Sequence, residues 1–271
     1  MGVISFILAT IVGISLGLIG SGGSILTVPI LVYVMGVNPV LATAYSLFIV
    51  GSTALVGGVQ SARQKTVDFK TVFIFGLPSI VAVYATRMWL VPIIPEELFS
   101  IGSFAVTKPI ALMLLFAVVM ILASVSMIRP DKNKEIEETV PISYNYPMIL
   151  VEGTLVGMLT GLVGAGGGFL IIPALVILAH MPMKLAVGTS LFIIAAKSLF
   201  GFIGDLQGSQ QIDWMLLIGF TAFAVLGIFI GIFLSKKMPG DKLKKGFGWF
   251  VLVMGIYIIV KEIFFPMVGG H

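Results

Sequence analysis

The chain has 271 residues, 58% of them hydrophobic and only 10% charged, with 32 glycines, no cysteine and a formal net charge of +4; its mean hydropathy is +1.14. A water-soluble domain carries about 25% charged residues to solvate its surface, so this composition excludes one and makes lipid the main solvent. The lack of cysteine excludes disulfides, thiolate metal sites and a covalent thiol relay, and abundant glycine favours packed membrane helices over a barrel.

The run after Met1 is apolar, without a basic n-region or a small-residue cleavage site, and reads as retained structure rather than a signal peptide. Apolar segments follow at 3–19, 24–37, 39–60, 69–90 and 109–128, and after a polar stretch at 148–163, 168–181, 183–204, 213–235 and 246–265. The two series match. Gly20-Ser21-Gly22-Gly23-Ser24-Ile25-Leu26-Thr27-Val28-Pro29 recurs as Gly164-Ala165-Gly166-Gly167-Gly168-Phe169-Leu170-Ile171-Ile172-Pro173, and Pro29 aligns with Pro173 at an offset of 144 residues. At that offset Gly13, Gly17, Leu31, Leu41, Ala42, Ser46, Leu47, Phe48, Ile49, Leu55 and Gly57 also meet their own kind.

The last three segments of each series are about 20 residues long, enough to cross a hydrocarbon core of about 30 Å. The first two are shorter and joined by the glycine loop, so they are expected as a helical hairpin with its tip inside the membrane. The expected fold is an all-α polytopic membrane protein of two inverted repeats. These are 1–128 and 148–271, joined by a cytoplasmic linker, 129–147, each repeat a glycine-tipped hairpin plus three transmembrane helices.

Charged loops give the inversion, because lysine and arginine in short loops stay cytoplasmic. Arg63, Lys65 and Lys70 follow the third segment of the first series, whereas Asp205 and Asp213 occupy the matching loop, Gly204 to Trp214, of the second. The next connection reverses this: Pro95, Glu96 and Glu97 in the first, Lys236, Lys237, Lys242, Lys244 and Lys245 in the second. Arg129, Lys132 and Lys134 put the linker inside, Lys184 agrees, and both termini fall outside.

Inverted repeats with broken helices near the midplane are the recurring plan of secondary transporters. Each glycine loop opens a helix, so amide N–H groups and the positive end of the helix dipole point into it, an anion cradle; close helix packing through small residues is the alternative. Candidate substrate contacts are Gly20, Ser21, Gly22, Gly23, Ser24, Gly164, Ala165, Gly166, Gly167 and Gly168. Lys197, in mid-segment beside Ser198, is expected to meet the anion or a coupled proton, or else to pair with a helix-end carbonyl or Asp205. Its counterpart in the first series is Thr53, next to Ser52. Ser46 and Ser190, with Thr43 and Thr189, offer hydroxyls to substrate oxygens or back to their own helix carbonyls. Glu152 is a proton acceptor or an interfacial residue; Arg87, near a helix end, attracts anions to an entrance or snorkels; Asp205 joins them as a candidate for proton coupling or the entrance. His180 and His271 are too few for a metal site.

The run Gly-Leu-Val-Gly-Ala-Gly-Gly-Gly-Phe-Leu-Ile-Ile-Pro-Ala-Leu (161–175), its degenerate first copy, and Ala-Val-Gly-Thr-Ser-Leu (186–191) resemble the TauE/SafE sulfite exporter family, also called TSUP, over essentially the whole chain. The resemblance implies prokaryotic inner-membrane transport of sulfite, organosulfonates or related small anions. Two departures from that pattern bear on anion choice. Lys197 stands where an asparagine is expected, and Tyr45 where the first copy is expected to have threonine.

The expected function is thus a secondary transporter holding a small anion between two glycine-loop helix N-termini by alternating access. A proton or sodium ion is the candidate coupling partner, and no cofactor, metal or nucleic acid is expected. A passive anion channel shares these features. An intramembrane hydrolase, suggested by Gly20-Ser21-Gly22 and His180, is disfavoured because Ala165 replaces the serine in the second copy.

Overall fold

The computed structural model describes residues 3–20, 23–101, 104–128, 146–164, 166–177, 181–206, 212–235 and 240–264. Among these, helices follow one another as α1 (Val3–Ile19), α2 (Ser24–Val34), α3 (Pro39–Arg63), α4 (Phe69–Ile93) and α5 (Lys108–Ile128). They continue as α6 (Tyr146–Val163), α7 (Gly168–Ile177), α8 (Met183–Leu206), α9 (Trp214–Ser235) and α10 (Gly240–Phe264). The linker residues 129–145 lie outside the described residues, and α6 already begins at Tyr146, inside the expected linker boundary.

Five helices, α3, α4, α5, α8 and α9, are long and apolar enough to cross a membrane, while α1, α2 and α6 are shorter apolar helices. The solvation pattern is reversed from that of a soluble protein. Phe73, Val81, Leu122 and Ile218 stand exposed, whereas Thr43, Ser46, Thr53, Arg87, Thr189, Ser190, Lys197 and Ser198 are buried. An apolar exterior and a polar interior are what lipid as solvent demands. The chain is a helical, polytopic membrane protein.

Local chemistry sets the helix ends and irregularities. Asn38 caps α3, accepting from Val40 N at 2.9 Å with Pro39 at the first helical position. Asp68 caps α4 through Lys70 N and Thr71 N, and Asp213 caps α9 through Leu216 N. Proline inside a helix removes a donor and crowds the preceding carbonyl. In α2, Pro29 is followed directly by a π turn, Ile30–Val34. In α4, Pro78 precedes a second π turn, Thr86–Leu90.

Helices far apart in sequence make the main contacts: α1 with α9, α4 with α6, α3 with α8, α5 with α10, α4 with α8 and α3 with α9. Moving each helix five places along the series turns the α1–α9 contact into α4–α6 and the α4–α8 contact into α3–α9, and leaves α3–α8 and α5–α10 unchanged. Glycine makes the first pair close: a Cβ on Gly13 or Gly17 would collide with the α9 backbone at Ala224 or Ile228, and one on Gly157 with Ser79 of α4. Between α3 and α8 the contacts run antiparallel. A Cβ on Gly201 would lie 3.2 Å from Leu47 Cδ1 and one on Gly57 would lie 3.3 Å from Leu191 Cδ1, two pairs that exchange under the 144-residue offset. The Phe48–Phe202 rings, 5.0 Å apart, likewise correspond to Phe192 against Gly58.

The connection between α4 and α5, expected as a long linking stretch, contains a β-hairpin. Strand β1 (Glu97–Ile101) pairs antiparallel with β2 (Phe104–Thr107), Ser100 opposite Ala105, with a bulge between Glu97 and Phe99. Two short runs with aromatic and β-branched residues flank Gly102-Ser103 in the sequence, a turn signal that the search for long apolar segments passes over. Lys108 N donates to Glu96 O at 2.8 Å and closes the hairpin onto α5.

Candidate functional site

The two glycine loops end their first helices alike. Gly20 N donates to Leu16 O and Gly164 N to Thr160 O, both at 2.8 Å, and both glycines have positive φ, 78° and 74°. A side chain at either would be strained by that φ and would also meet a neighbour. A Cβ at Gly164 would lie 2.5 Å from Thr43 Cβ, and one at Gly20 would lie 3.2 Å from Val187 Cβ, the residue that aligns with Thr43. The loops meet each other as well: a Cβ at Gly166 would stand 3.3 Å from Ser24 Cβ. Gly23 and Gly167 precede α2 and α7 and offer no side chain to cap them, so both helices start at this junction. Ser21, Gly22 and Ala165 lie outside the described residues, as does His180.

Chemistry separates the loops. Lys197 of α8 is fully buried, and its Nζ donates to Thr160 Oγ1 at 2.9 Å. That Nζ is 2.7 Å from where a Cβ on Gly167 would sit, so the amino group rests against the second loop. The aligned residues of the first loop are Leu16 for Thr160 and Thr53 for Lys197, and the Thr53 hydroxyl bonds back to Ile49 O at 2.6 Å. Thr160 is a site residue that the sequence reading missed. Its signal was available, a hydroxyl where the first copy has Leu16, but only the three-dimensional contact tells which lysine it serves.

A second buried cation stands nearby. Arg87 sits in the π turn of α4, 2% exposed, with Nη1 donating to Thr43 Oγ1 at 3.0 Å and facing Asp205 Oδ1 at 3.5 Å. Thr43 is the residue packed on Gly164, so Arg87 touches the flank of the second loop. This corrects the expectation of an entrance or snorkelling arginine: the π turn lies against Gly204 of α8 and α4 carries the side chain inward. It also corrects the placement of Asp205, which belongs to the last turn of α8 rather than to the following loop. Asp205 pairs with Arg87, not with Lys197, about 12 Å further back along α8.

The remaining candidates divide. Ser46 and Ser198 are buried, and their hydroxyls have no hydrogen-bond partner among the described residues; Thr27 is a third such group. Ser190 bonds back to Val187 O at 2.8 Å. Thr189 Oγ1 accepts from Asp68 N at 2.9 Å, and Tyr45 Oη, from the aligned position, accepts from Asp213 N at 2.6 Å. The Tyr45 departure thus keeps a hydroxyl that clasps the start of a following helix. Glu152 is half-buried on α6, about two turns before Thr160.

The family model described as "Sulfite exporter TauE/SafE" matches residues 5–258. The chain belongs to this family. It is 30% identical over 264 residues to a "Probable membrane transporter protein" of Xylella fastidiosa strain 9a5c, covering 93% of this chain and 92% of that one. The Bacillus subtilis "Probable membrane transporter protein YunE" is 28% identical over 96% of this chain and 99% of its own length. A "Probable membrane transporter protein" of Haemophilus influenzae is 26% identical over 94% and 97%. No solved structure matches the chain. Family and relatives make this TauE/SafE member a membrane transporter and not an enzyme.

Proposed function

We propose that the protein is a secondary transporter of small anions, sulfite or an organosulfonate, held at the junction of the two glycine loops near the membrane midplane. The observation that carries this reading is Lys197: a fully buried ammonium on a loop of helix-start N–H groups, with no carboxylate paired to it among the described residues. An unpaired buried charge costs several kcal/mol, a cost that a transported anion offsets. The first-turn N–H groups of α2 and α7, with the Ser46, Ser198 and Thr27 hydroxyls, supply neutral donors around it.

Alternating access is supported by the packing. The antiparallel α3–α8 contact and the exchange-related pairs across it are what two inverted repeats, 1–128 and 148–271, produce about an axis in the membrane plane. The basic-loop rule supports both termini outside, and the family membership supports a prokaryotic inner membrane. The family description supports a sulfur oxyanion as substrate.

The test is thermal stabilisation of the purified protein by sulfite and methanesulfonate, with uncharged dimethyl sulfone as control. Stabilisation by the anions alone is expected, since a ligand of the folded state raises its stability by mass action. Equal shifts with the sulfone, or none, would reject an anion site. In proteoliposomes, a carrier gives saturable counterflow between labelled and unlabelled anion, which a channel does not.

A further inference from the structure

The Arg87–Asp205 pair is poorly satisfied for a buried one. Its closest approach, Nη1 to Oδ1, is 3.5 Å, and Arg87 Nε, Arg87 Nη2 and Asp205 Oδ2 have no hydrogen-bond partner among the described residues. Buried arginine and carboxylate partners normally meet as a two-pronged fork at about 2.7–2.9 Å. Native buried polar groups are almost always paired, and removing two charges from water is recovered only when the geometry is good. A fixed structural ion pair is therefore a poor account of this arrangement. It fits an arginine whose fork is shared between Asp205 and a second acceptor.

The position of the pair names the other acceptor. Arg87 Nη1 is bonded to Thr43, Thr43 is packed on Gly164, and Gly164 opens the loop whose other end carries Lys197. Arg87 thus stands at the flank of the second loop, and the lone pairs that suit its Nε and Nη2 are the two oxygens of a sulfite, sulfonate or carboxylate group. We propose that Asp205 is a built-in competitor of the transported anion for Arg87. With Asp205 as the acceptor facing Nη1 the pair is neutral; an anion that takes Nε and Nη2 draws the guanidinium off Asp205, and the carboxylate, left without its cation, takes a proton from the open side. Anion and proton are then loaded together.

Among the described residues the charged and titratable groups near Asp205 include Tyr84 of α4, whose backbone packs on Gly204. Arg87 faces it from α4; Lys197 stands about two turns back on α8 itself; Tyr45 of α3, bonded to Asp213 at the start of α9, flanks the same end, where Trp214 packs on Phe202. Of these, Arg87 is the one in contact with the carboxylate. Its release is the event that changes the proton occupancy of Asp205.

This inference rests on the anion reading, and the experiment separates the two. Methanesulfonate keeps its charge across the working pH range, so any proton taken up on its binding belongs to the protein. Wild type and Asp205→Asn are titrated with methanesulfonate by thermal shift, and wild type is also titrated in weak buffer with pyranine as the pH reporter. Asp205→Asn is expected to be less stable without ligand, to show a larger anion-induced shift, and to half-saturate at about tenfold lower methanesulfonate, because the competing state has been removed. Wild type is expected to alkalinise the medium as methanesulfonate binds, with no change on adding dimethyl sulfone. The double variant Arg87→Gln/Asp205→Asn loses the gain in affinity. Asp205→Asn, or Asp205→Ser should it not fold, is titrated with pyranine as well, and loss of the uptake in the variant assigns the proton to Asp205 rather than to Lys197. Unchanged or weaker binding by a folded Asp205→Asn, or binding to wild type without proton uptake, overturns the competitor while leaving the anion site in place. No anion-dependent shift in wild type overturns both.

Discussion

The two glycine loops are the same backbone carrying different chemistry. Each closes a helix with a 2.8 Å bond to a positive-φ glycine, each starts a helix with an uncapped glycine, and each packs against the opposite member of the α3–α8 pair. The first has Val187 packed on Gly20 and, at the positions that match Thr160 and Lys197, Leu16 and Thr53; the second has Thr43, Thr160 and Lys197 against it, with Arg87 held at its flank. A duplicated scaffold therefore supplies matched backbone, while single substitutions in one copy supply charge. The difference teaches that the amide cradles alone do not distinguish the two sides; on the proposed function, the side chains behind the second loop do.

The comparison breaks most visibly at Lys197. Replacing it with methionine, close in length but uncharged, is expected to weaken sulfite binding by about 2–5 kcal/mol, the range for truncating one partner of a buried charge contact. The ligand-free protein should be no less stable, because a buried ammonium has been removed. Thr53→Val, at the aligned position, should leave sulfite affinity unchanged. Thermal-shift titrations of both variants read the contrast, and equal losses at the two positions would mean that the loops share the anion evenly.

Backbone substitutions should give a smaller, still one-sided effect. Gly20→Ala and Gly164→Ala each force a side chain into positive φ at a cost of about 1–2 kcal/mol, and each pushes on a packed neighbour, Val187 or Thr43. Both lose thermal stability. Only Gly164→Ala should also weaken anion binding, because Thr43 holds Arg87. Thr160→Val removes the hydroxyl that Lys197 donates to and leaves that donor unpaired, so about tenfold weaker binding is expected, equivalent to ~1.4 kcal/mol. Its matched residue is already apolar, and Leu16→Val should bind sulfite like the wild type.

Much of this was legible in the chain because it depends on local pattern. The 144-residue repeat, the glycine loops with their matched prolines, and Lys197 in the middle of an apolar run all follow from composition and spacing. What escaped depends on contacts between distant segments. Arg87 reads as a helix-end residue until the π turn after Pro78 and the close approach of Gly204 carry it into the interior. Thr160 reads as one more membrane-helix hydroxyl until α8 brings Lys197 to it. Asp205 was visible as the acidic residue closest to Lys197, yet helix geometry sends the two to different neighbours. The apolar segments carry no mark of which helix each will meet, because an all-round apolar surface fits lipid and protein equally well.

The smallest effects belong to a feature in which the two copies are functionally matched although their residues differ. Tyr45 Oη and Thr189 Oγ1 each accept the backbone N–H of an aspartate that caps a helix across the α3–α8 contact, Asp213 for α9 and Asp68 for α4. A tyrosine reaches Asp213 N at 2.6 Å and a threonine reaches Asp68 N at 2.9 Å, so the longer side chain spans a wider gap to the same kind of partner. Removing either acceptor leaves one peptide N–H unpaired, a cost of about 1 kcal/mol. Tyr45→Phe and Thr189→Val are thus expected to lower the apparent Tm by similar, small amounts and to leave sulfite affinity unchanged. A loss of affinity confined to Thr189→Val would show that its hydroxyl proton is spent on the anion while its oxygen holds Asp68. The clasp would then differ between the copies in the same sense as the loops do, with the second copy again the one in contact with substrate.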